Sequence, residues 1–266
     1  MDEFIFLNGL MIVSGFIGVA IFVLLFFISA PYGRHVRKGW GPMINSKWGW
    51  IIMESPAIII FVVLFAIGDR RRELVPIIFL FLWLIHYVQR DLIYPFFLRT
   101  NKRMPYLILL FGLIFQTSNT YIIARWIFTL SKTSTYSVSW LNIPAIVYTN
   151  AWLRDPRFII GIILFAVGYI INRHSDFVLR KLRKPGEKDY KIPFGGFYKF
   201  ISCPNYFGEL VLWIGFALAI WSWPGFLFAF WTTANLLPRC KSHHLWYKET
   251  FPDYPKERKA LIPFIY

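Results

Sequence analysis

The chain alternates between long apolar runs and shorter polar segments. A membrane-spanning helix needs about 20 consecutive apolar residues. Seven stretches approach or exceed that length: residues 4–30, 48–68, 75–98, 105–130, 156–178, 207–222 and 224–247. The first stretch follows an acidic start and is longer than the apolar core of a cleaved signal peptide, so we expect it to be retained. The pattern predicts an all-α, polytopic integral membrane protein with seven transmembrane helices.

Basic residues are unevenly divided between alternate polar segments. Most of the lysines and arginines lie in 31–47, 99–104, 179–206 and the C-terminal tail, and the other segments hold few. Because basic residues favour the cytoplasmic side of a membrane, this asymmetry predicts an outer N-terminus and a cytoplasmic C-terminus. Cys203 and Cys240 then face the reducing side.

The composition supports a membrane protein and excludes several other classes. Hydrophobic residues make up 57% of the chain and charged residues 16%, with a net charge of +15. A soluble domain has about 25% charged residues. We expect no nucleic-acid partner, because no soluble basic domain remains to bind one. The sequence has no metal-ligand spacing, no G-x-G-x-x-G motif and no Walker loop, so we expect no metal, Rossmann or P-loop site.

Polar side chains within the predicted spans converge on the cytoplasmic half. At about 1.5 Å per residue, Glu54 lies about 9 Å from the inner end of its span and Tyr87 about 17 Å from that of the next. Others lie near the inner ends of later spans: Asn172, Asp176, Glu209, His243 and Tyr247. Ionisable groups at membrane depth are costly and indicate function. The layering therefore predicts a cavity that opens to the cytoplasm.

One polar face of the fifth span has the chemistry of a nucleotide site. Asn172, Asp176, Arg180 and Arg183 are spaced to lie on one side of a helix. A carboxylate suits a ribose hydroxyl, and guanidinium groups suit phosphates. The alternative is an ion pair between Asp176 and Arg180, which are four residues apart. The basic cluster at 180–191 favours a dinucleotide with a 2′-phosphate, and therefore NADPH over NADH.

Seven sequence stretches match the pattern of one enzyme family. They are MESP at 53–56, HYVQR at 86–90, NKRMPY at 101–106, NRHSDFVLRKLRKPG at 172–186, YKIPFGG at 190–196, SCPNYFGE at 202–209 and PDYPKERKALIPFIY at 252–266. The chain resembles the membrane-embedded steroid 5-alpha-reductases over nearly its whole length, and we expect a bacterial-type homologue. The chain departs from the animal enzymes at Met104, Lys191 and Ser242. These differences leave the exact phosphate contacts open and do not change the expected cofactor class.

The resemblance implies one transmembrane reductase domain over residues 1–266, with substrate-binding helices in 1–130 and NADPH-binding helices and loops in 156–266. It implies NADPH-dependent reduction of the 4,5 double bond of 3-oxo-4-ene steroids to 5α-reduced 3-oxo-steroids. Glu54 and Tyr87 would be catalytic and would polarise the C3 ketone. The cofactor-binding residues that the resemblance implies are Arg90, Asn101, Asn172, Asp176, Arg183, Asn205, Glu209, Trp213, Arg239, His243, Tyr247 and Arg258.

Other functions remain open at this point. Reductases of enoyl-CoA or polyprenol are similar in the C-terminal half. Membrane methyltransferases that use S-adenosylmethionine share a segment of the type formed by His243, Tyr247 and Arg258. A transporter or lipid-binding protein would need polar residues through both membrane halves. The alternative for segment 53–56 is a purely structural role, in which the segment kinks the helix and the Glu54 carboxyl has its hydrogen bonds satisfied. We expect a monomer in the bacterial inner membrane or the endoplasmic reticulum, with its active site opening to the cytoplasm.

Overall fold

The computed structural model describes residues 2–97, 103–132, 148–182, 187 and 189–266. Within these ranges the α-helices are α1 Glu3–Phe27, α2 Ser46–Ile67, α3 Leu74–Tyr87, α4 Tyr94–Phe97, α5 Tyr106–Phe128, α6 Pro156–Lys181, α7 Pro204–Ile220 and α8 Trp223–Thr250. A π-helix, Val88–Ile93, joins α3 to α4. Short 3₁₀-helices are Gly33–His35, Leu130–Lys132, Asn150–Arg154 and Gly196–Lys199. Strands β1 Met43–Asn45 and β2 Arg103–Pro105 pair antiparallel, with Met43 opposite Pro105.

The helices follow the predicted spans closely and support a multi-pass membrane protein. In the part of the chain that the structure describes, five helical segments are long and apolar enough to cross a membrane: Glu3–Phe27, Ser46–Ile67, Leu74–Phe97, Tyr106–Phe128 and Pro156–Lys181. Helix α7 is apolar but has only 17 residues, and α8 carries many polar residues in its second half. Seven spans and the orientation of the termini therefore stay predictions.

Helices α6 and α7 approach each other at interlocking glycines. Gly161 and Gly168 on α6 lie against Gly208 and Gly215 on α7. A β-carbon added at Gly161 would lie 2.5 Å from the backbone nitrogen of Ala219, so no larger residue fits without displacement of a helix. Small residues let membrane helices approach backbone to backbone. This contact brings together the C-terminal half of α6 and the N-terminal end of α7, where several predicted site residues lie.

An aromatic core surrounds Trp83 of α3. The Trp83 ring stacks on Phe61 of α2 at 4.5 Å between centroids, and its Nε1 donates to the carbonyl of Ala57 at 2.7 Å. The same ring lies 4.7 Å from the ring of Tyr87. The core thus joins α3 to α2 and fixes the Tyr87 ring at its inner edge.

Helix α1 packs along α8 and is held to α5 near its N-terminus. The carboxylate of Glu3 pairs with the Arg125 guanidinium through two contacts, of 2.5 Å from Nε and 2.6 Å from Nη2. Tyr121 donates to the same carboxylate at 3.2 Å. This paired arginine belongs to the packing of α1 on α5 and lies apart from the polar groups described below.

Candidate active site

Glu54 lies in the middle of α2, next to a proline that the helix accommodates. Pro56 has no backbone N–H, so the carbonyl of Ile52 lacks its usual helical partner. The hydroxyl of Ser55 donates to that carbonyl at 3.1 Å. Glu54 itself is only 5% exposed. The local sequence therefore keeps the helix intact and directs the carboxyl into the protein.

A buried polar network, here called the Glu54 cluster, consists of Glu54, Tyr87, Arg90, Gln116 and Glu209. The Gln116 amide Nε2 donates to Glu54 Oε2 in a close contact, and the Tyr87 hydroxyl donates to Gln116 Oε1 at 3.5 Å. Arg90 lies between the two carboxylates, with Nε 3.7 Å from Glu54 and Nη1 3.5 Å from Glu209. Four of the five members were predicted from the sequence. Gln116 was missed, although an amide within an apolar span is itself a signal.

The π-helix Val88–Ile93 begins directly after Tyr87 and contains Arg90. A π-turn changes the register of the side chains that follow it, and such turns occur often at functional sites. The guanidinium of Arg90 lies 4.8 Å from the ring of Trp50 on α2. The altered register thus places Arg90 between α2 and α7, where it links Glu54 to Glu209.

A second polar group joins α6 to the start of α7. Asn172 donates to the carbonyl of Asn205 at 2.9 Å, and the Asn205 amide donates to Asp176 at 3.4 Å. Among the described residues, the ion-pair partner of Asp176 is Arg173, at 3.4 Å, rather than Arg180. The alternative of an Asp176–Arg180 ion pair is therefore wrong. The carboxylate and the two amides thus lie together. The resemblance implied all three as cofactor contacts, and that role stays a prediction.

Tyr198 lies close to this second group and was not predicted. It belongs to the 3₁₀-helix Gly196–Lys199 and is 1% exposed. Burial raises the pKa of its hydroxyl well above the usual value, and the nearby Asp176 carboxylate raises it further. The hydroxyl is buried without a hydrogen-bond partner in the described part of the chain. It is therefore a neutral donor that a ligand can engage.

A third polar group connects the segment after α1 to α8. His35 Nε2 and His243 Nδ1 share a hydrogen bond of 2.9 Å, and the other ring nitrogen of His243 lies 3.3 Å from the Tyr206 hydroxyl. Arg34 donates to the hydroxyl of Tyr247 at 3.4 Å. His243 and Tyr247 were predicted. Arg34 and His35 were missed as site residues, because their partners lie more than 200 positions away.

Three arginines near this group have buried guanidinium nitrogens without hydrogen-bond partners among the described residues. They are Nη1 of Arg34 and both Nε and Nη1 of Arg239 and Arg258. Within the ranges that the structure describes, none of the three forms an ion pair with an acidic residue. Unpaired buried charges are costly, and guanidinium groups bind phosphate with several parallel hydrogen bonds. The arrangement fits an anionic ligand with more than one phosphate.

The remaining predicted residues are placed as follows. Trp213 is 2% exposed, and its ring lies 5.7 Å from that of Tyr87. Arg239 and Arg258 lie in the cationic region just described. Asn101 and Arg183 lie outside the described residues. Glu209 belongs to the Glu54 cluster and follows Asn205 by one helical turn, so α7 connects the first polar group to the second.

An open apolar groove of about 850 Å³ lies along the first half of α5. Its other wall is the segment 39–42. The lining residues are Gly39, Trp40, Gly41, Pro42, Tyr106, Leu107, Leu109, Leu110 and Leu113. Gln116 lies one turn further along α5 than Leu113. The apolar groove therefore ends about one helical turn before the Glu54 cluster along α5.

The chain is similar to curated proteins along its whole length. A family model described as 3-oxo-5-alpha-steroid 4-dehydrogenase matches residues 102–266. The chain is 40% identical to 3-oxo-5-alpha-steroid 4-dehydrogenase 1 of Bos taurus, over 100% of this chain and 99% of the relative. It is 40% identical to Steroid 5-alpha-reductase DET2 of Gossypium hirsutum, over 94% of this chain and 93% of the relative. These relatives are an animal and a plant protein, so the expectation of a bacterial-type homologue is not supported.

Proposed function

We propose that this chain, which belongs to the steroid 5-alpha-reductase family, uses NADPH to reduce the 4,5 double bond of 3-oxo-4-ene steroids. The family makes it an oxidoreductase that acts on CH–CH bonds. The relatives' names give the class of reaction. The cofactor, the product with 5α configuration and the roles of individual residues are our proposal, and the Glu54 cluster is the observation that carries it.

The Glu54 cluster has the groups that reduction of an enone requires. When a hydride reaches the β-carbon, negative charge develops on the conjugated ketone oxygen, and a hydrogen-bond donor at that oxygen stabilises it. The hydroxyl of Tyr87 is such a donor, and Glu54 lies beside it through the shared contact with Gln116. We assign Tyr87 and Glu54 to the C3 ketone as the two catalytic residues. The apolar groove along α5 suits the remainder of a steroid.

The arginines with unpartnered nitrogens fit the phosphates of NADPH. The resemblance implied that Arg239 and Arg258 line the cofactor, and we assign both of them, with Arg34, to its phosphates. NADPH supplies the hydride when it is bound. We assign the ribose hydroxyls of NADPH to the second polar group, which includes Asp176 and Asn205. A carboxylate accepts hydrogen bonds from hydroxyls, and an amide both accepts and donates them. The other proposed cofactor contacts, Asn101 and Arg183 included, rest on the resemblance.

The proposed orientation follows from the same assignment. A cytoplasmic opening gives the phosphate-binding arginines access to NADPH, and the positive-inside pattern supports it. We propose seven spans, with α7 and the apolar part of α8 completing the five apolar segments. We further propose a monomer in the endoplasmic reticulum membrane, with the N-terminus outside the cytoplasm.

The test follows NADPH absorbance with detergent-solubilised protein and testosterone or progesterone. We expect steroid-dependent oxidation and a 5α-reduced product, with NADH a poorer donor. A steroid already saturated at the 4,5 position is the matched control and should cause no oxidation. Tight NADPH binding without oxidation by either steroid would contradict the substrate and favour an enoyl-CoA or polyprenol reductase. Failure to bind NADPH would favour the methyltransferase.

A further inference from the structure

Gln116 is a buried amide of α5, at the point where an apolar stretch gives way to the polar run 116–120. Its side chain is 5% exposed. One turn earlier, Gly112 touches the side chain of Met53, and a β-carbon there would collide with the methionine sulfur. This close approach sets α5 against α2, so that Gln116 meets Glu54, the residue that follows Met53. A buried polar group in a membrane span is costly unless its hydrogen bonds are made.

Both ends of the amide contact the two residues assigned to the ketone. Nε2 of Gln116 donates to Glu54, and Oε1 accepts from Tyr87 at 3.5 Å. An amide carries a donor and an acceptor on one rigid plane, whereas a carboxylate has only acceptors and an ammonium group only donors. Gln116 is therefore chemically suited to hold a carboxyl and a phenol side by side.

We propose that Gln116 is a positioning residue of the reduction, a role that rests on the proposed function. It fixes the Glu54 carboxyl through the close contact and directs the Tyr87 hydroxyl through the long one. A donor–acceptor distance of 3.5 Å makes a weak hydrogen bond. The hydroxyl can therefore pass to a better acceptor, the steroid ketone, while the phenol ring stays in place. Gln116 thus acts through Tyr87 and Glu54 on the ketone.

The test replaces Gln116 by methionine, which has a similar length and no amide. We expect kcat to fall about ten- to hundredfold, with KM for the steroid and Kd for NADPH changed less than threefold. Thr117→Val is the matched control, since Thr117 is the next residue on α5 and is exposed. It should leave kcat unchanged. If Gln116→Met lowered both the affinity for NADPH and kcat, the role of Gln116 would be merely structural and the proposal would be overturned.

A double-mutant cycle with Tyr87→Phe separates positioning from an independent effect. Because part of the effect of Gln116 runs through the Tyr87 hydroxyl, Gln116→Met should lower the single-turnover rate at least threefold less in the Tyr87→Phe background than in the wild-type protein. Rate losses that multiply would overturn the proposal, and so would full activity of Gln116→Met alone. Absence of steroid reduction by the wild-type protein would overturn the proposed function, and this role of Gln116 with it. If the wild-type protein reduces the steroid but the rate losses of the two substitutions multiply, only the role of Gln116 is overturned.

Discussion

Tyr87 combines a fixed ring with a weakly held hydroxyl. Its ring packs between those of Trp83 and Trp213, at 4.7 and 5.7 Å between centroids. Its hydroxyl has the long hydrogen bond to Gln116 described above. The packing determines where the oxygen lies, and the weak bond leaves its proton available to a ligand. A donor prepared in this way needs little reorganisation when charge develops on a ketone.

Tyr87→Phe should separate catalysis from cofactor binding. The ring packing is kept, so we expect little change in thermal stability. Loss of one donor to a developing oxyanion lowers kcat by about 10²–10³-fold. NADPH binding should persist, because the arginines assigned to its phosphates lie in another part of the site. Product formation from testosterone measures catalysis, and an NADPH titration measures cofactor binding. Unchanged turnover would remove Tyr87 from the mechanism.

At the scale of the elements, the α6–α7 contact sets the geometry of the proposed ribose site. Gly168 lies one turn before Asn172, and Gly208 lies beside both of them on α7. The hydrogen bond from Asn172 to Asn205 depends on this backbone approach. The interface therefore couples helix packing directly to the position of polar side chains.

Gly168→Ala should destabilise the protein and weaken NADPH binding together. Its β-carbon would lie 2.5 Å from the carbonyl oxygen of Gly208, so α6 and α7 must separate. Overpacking of this kind costs about 1–3 kcal/mol. Gly9→Ala is the matched control, because nothing lies within 4 Å of a β-carbon at that position on α1. Thermal unfolding and NADPH titration measure both effects, and equal behaviour of the two variants would contradict the argument.

At the scale of the whole molecule, the segment after α1 meets the C-terminal region at the proposed phosphate site. The 3₁₀-helix Gly33–His35 follows α1, yet it contacts the C-terminal part of α8. The Arg34 guanidinium lies 4.6 to 5.2 Å from three aromatic rings, those of Tyr190, Trp246 and Tyr247. The aromatic contacts hold the cation, while its Nη1 has no hydrogen-bond partner in the described part of the chain. The N-terminal half thus completes a site that is otherwise built by the C-terminal half.

Arg34→Ala should weaken NADPH binding by about ten- to hundredfold, because hydrogen bonds to charged groups are worth about 1.5–3 kcal/mol. Arg37→Ala is the control, since Arg37 is exposed and donates to the backbone of Ser29. It should bind NADPH as the wild type does. Titration of both purified variants with NADPH measures the two affinities. Wild-type affinity of Arg34→Ala would exclude the arginine from the cofactor site.

The sequence by itself determined the helical elements and several of the residues that now lie together. Apolar runs of membrane length appear as helices α1, α2, α5 and α6 at nearly the predicted bounds, because run length is a local property of the chain. Glu54 and Asp176 could be selected because a carboxylate at membrane depth is costly and therefore rare. The family followed from short motifs, and the comparisons confirmed it.

Only the tertiary structure decided which of these residues are neighbours. A continuous helical pattern over 75–98 gave no sign of the π-helix that sets the position of Arg90. The contacts of Gln116 with Glu54 and of His35 with His243 join positions 62 and 208 residues apart. Such contacts depend on how helices pack, through glycines such as Gly112 and the pairs of α6 and α7, and no local pattern in the sequence encodes them.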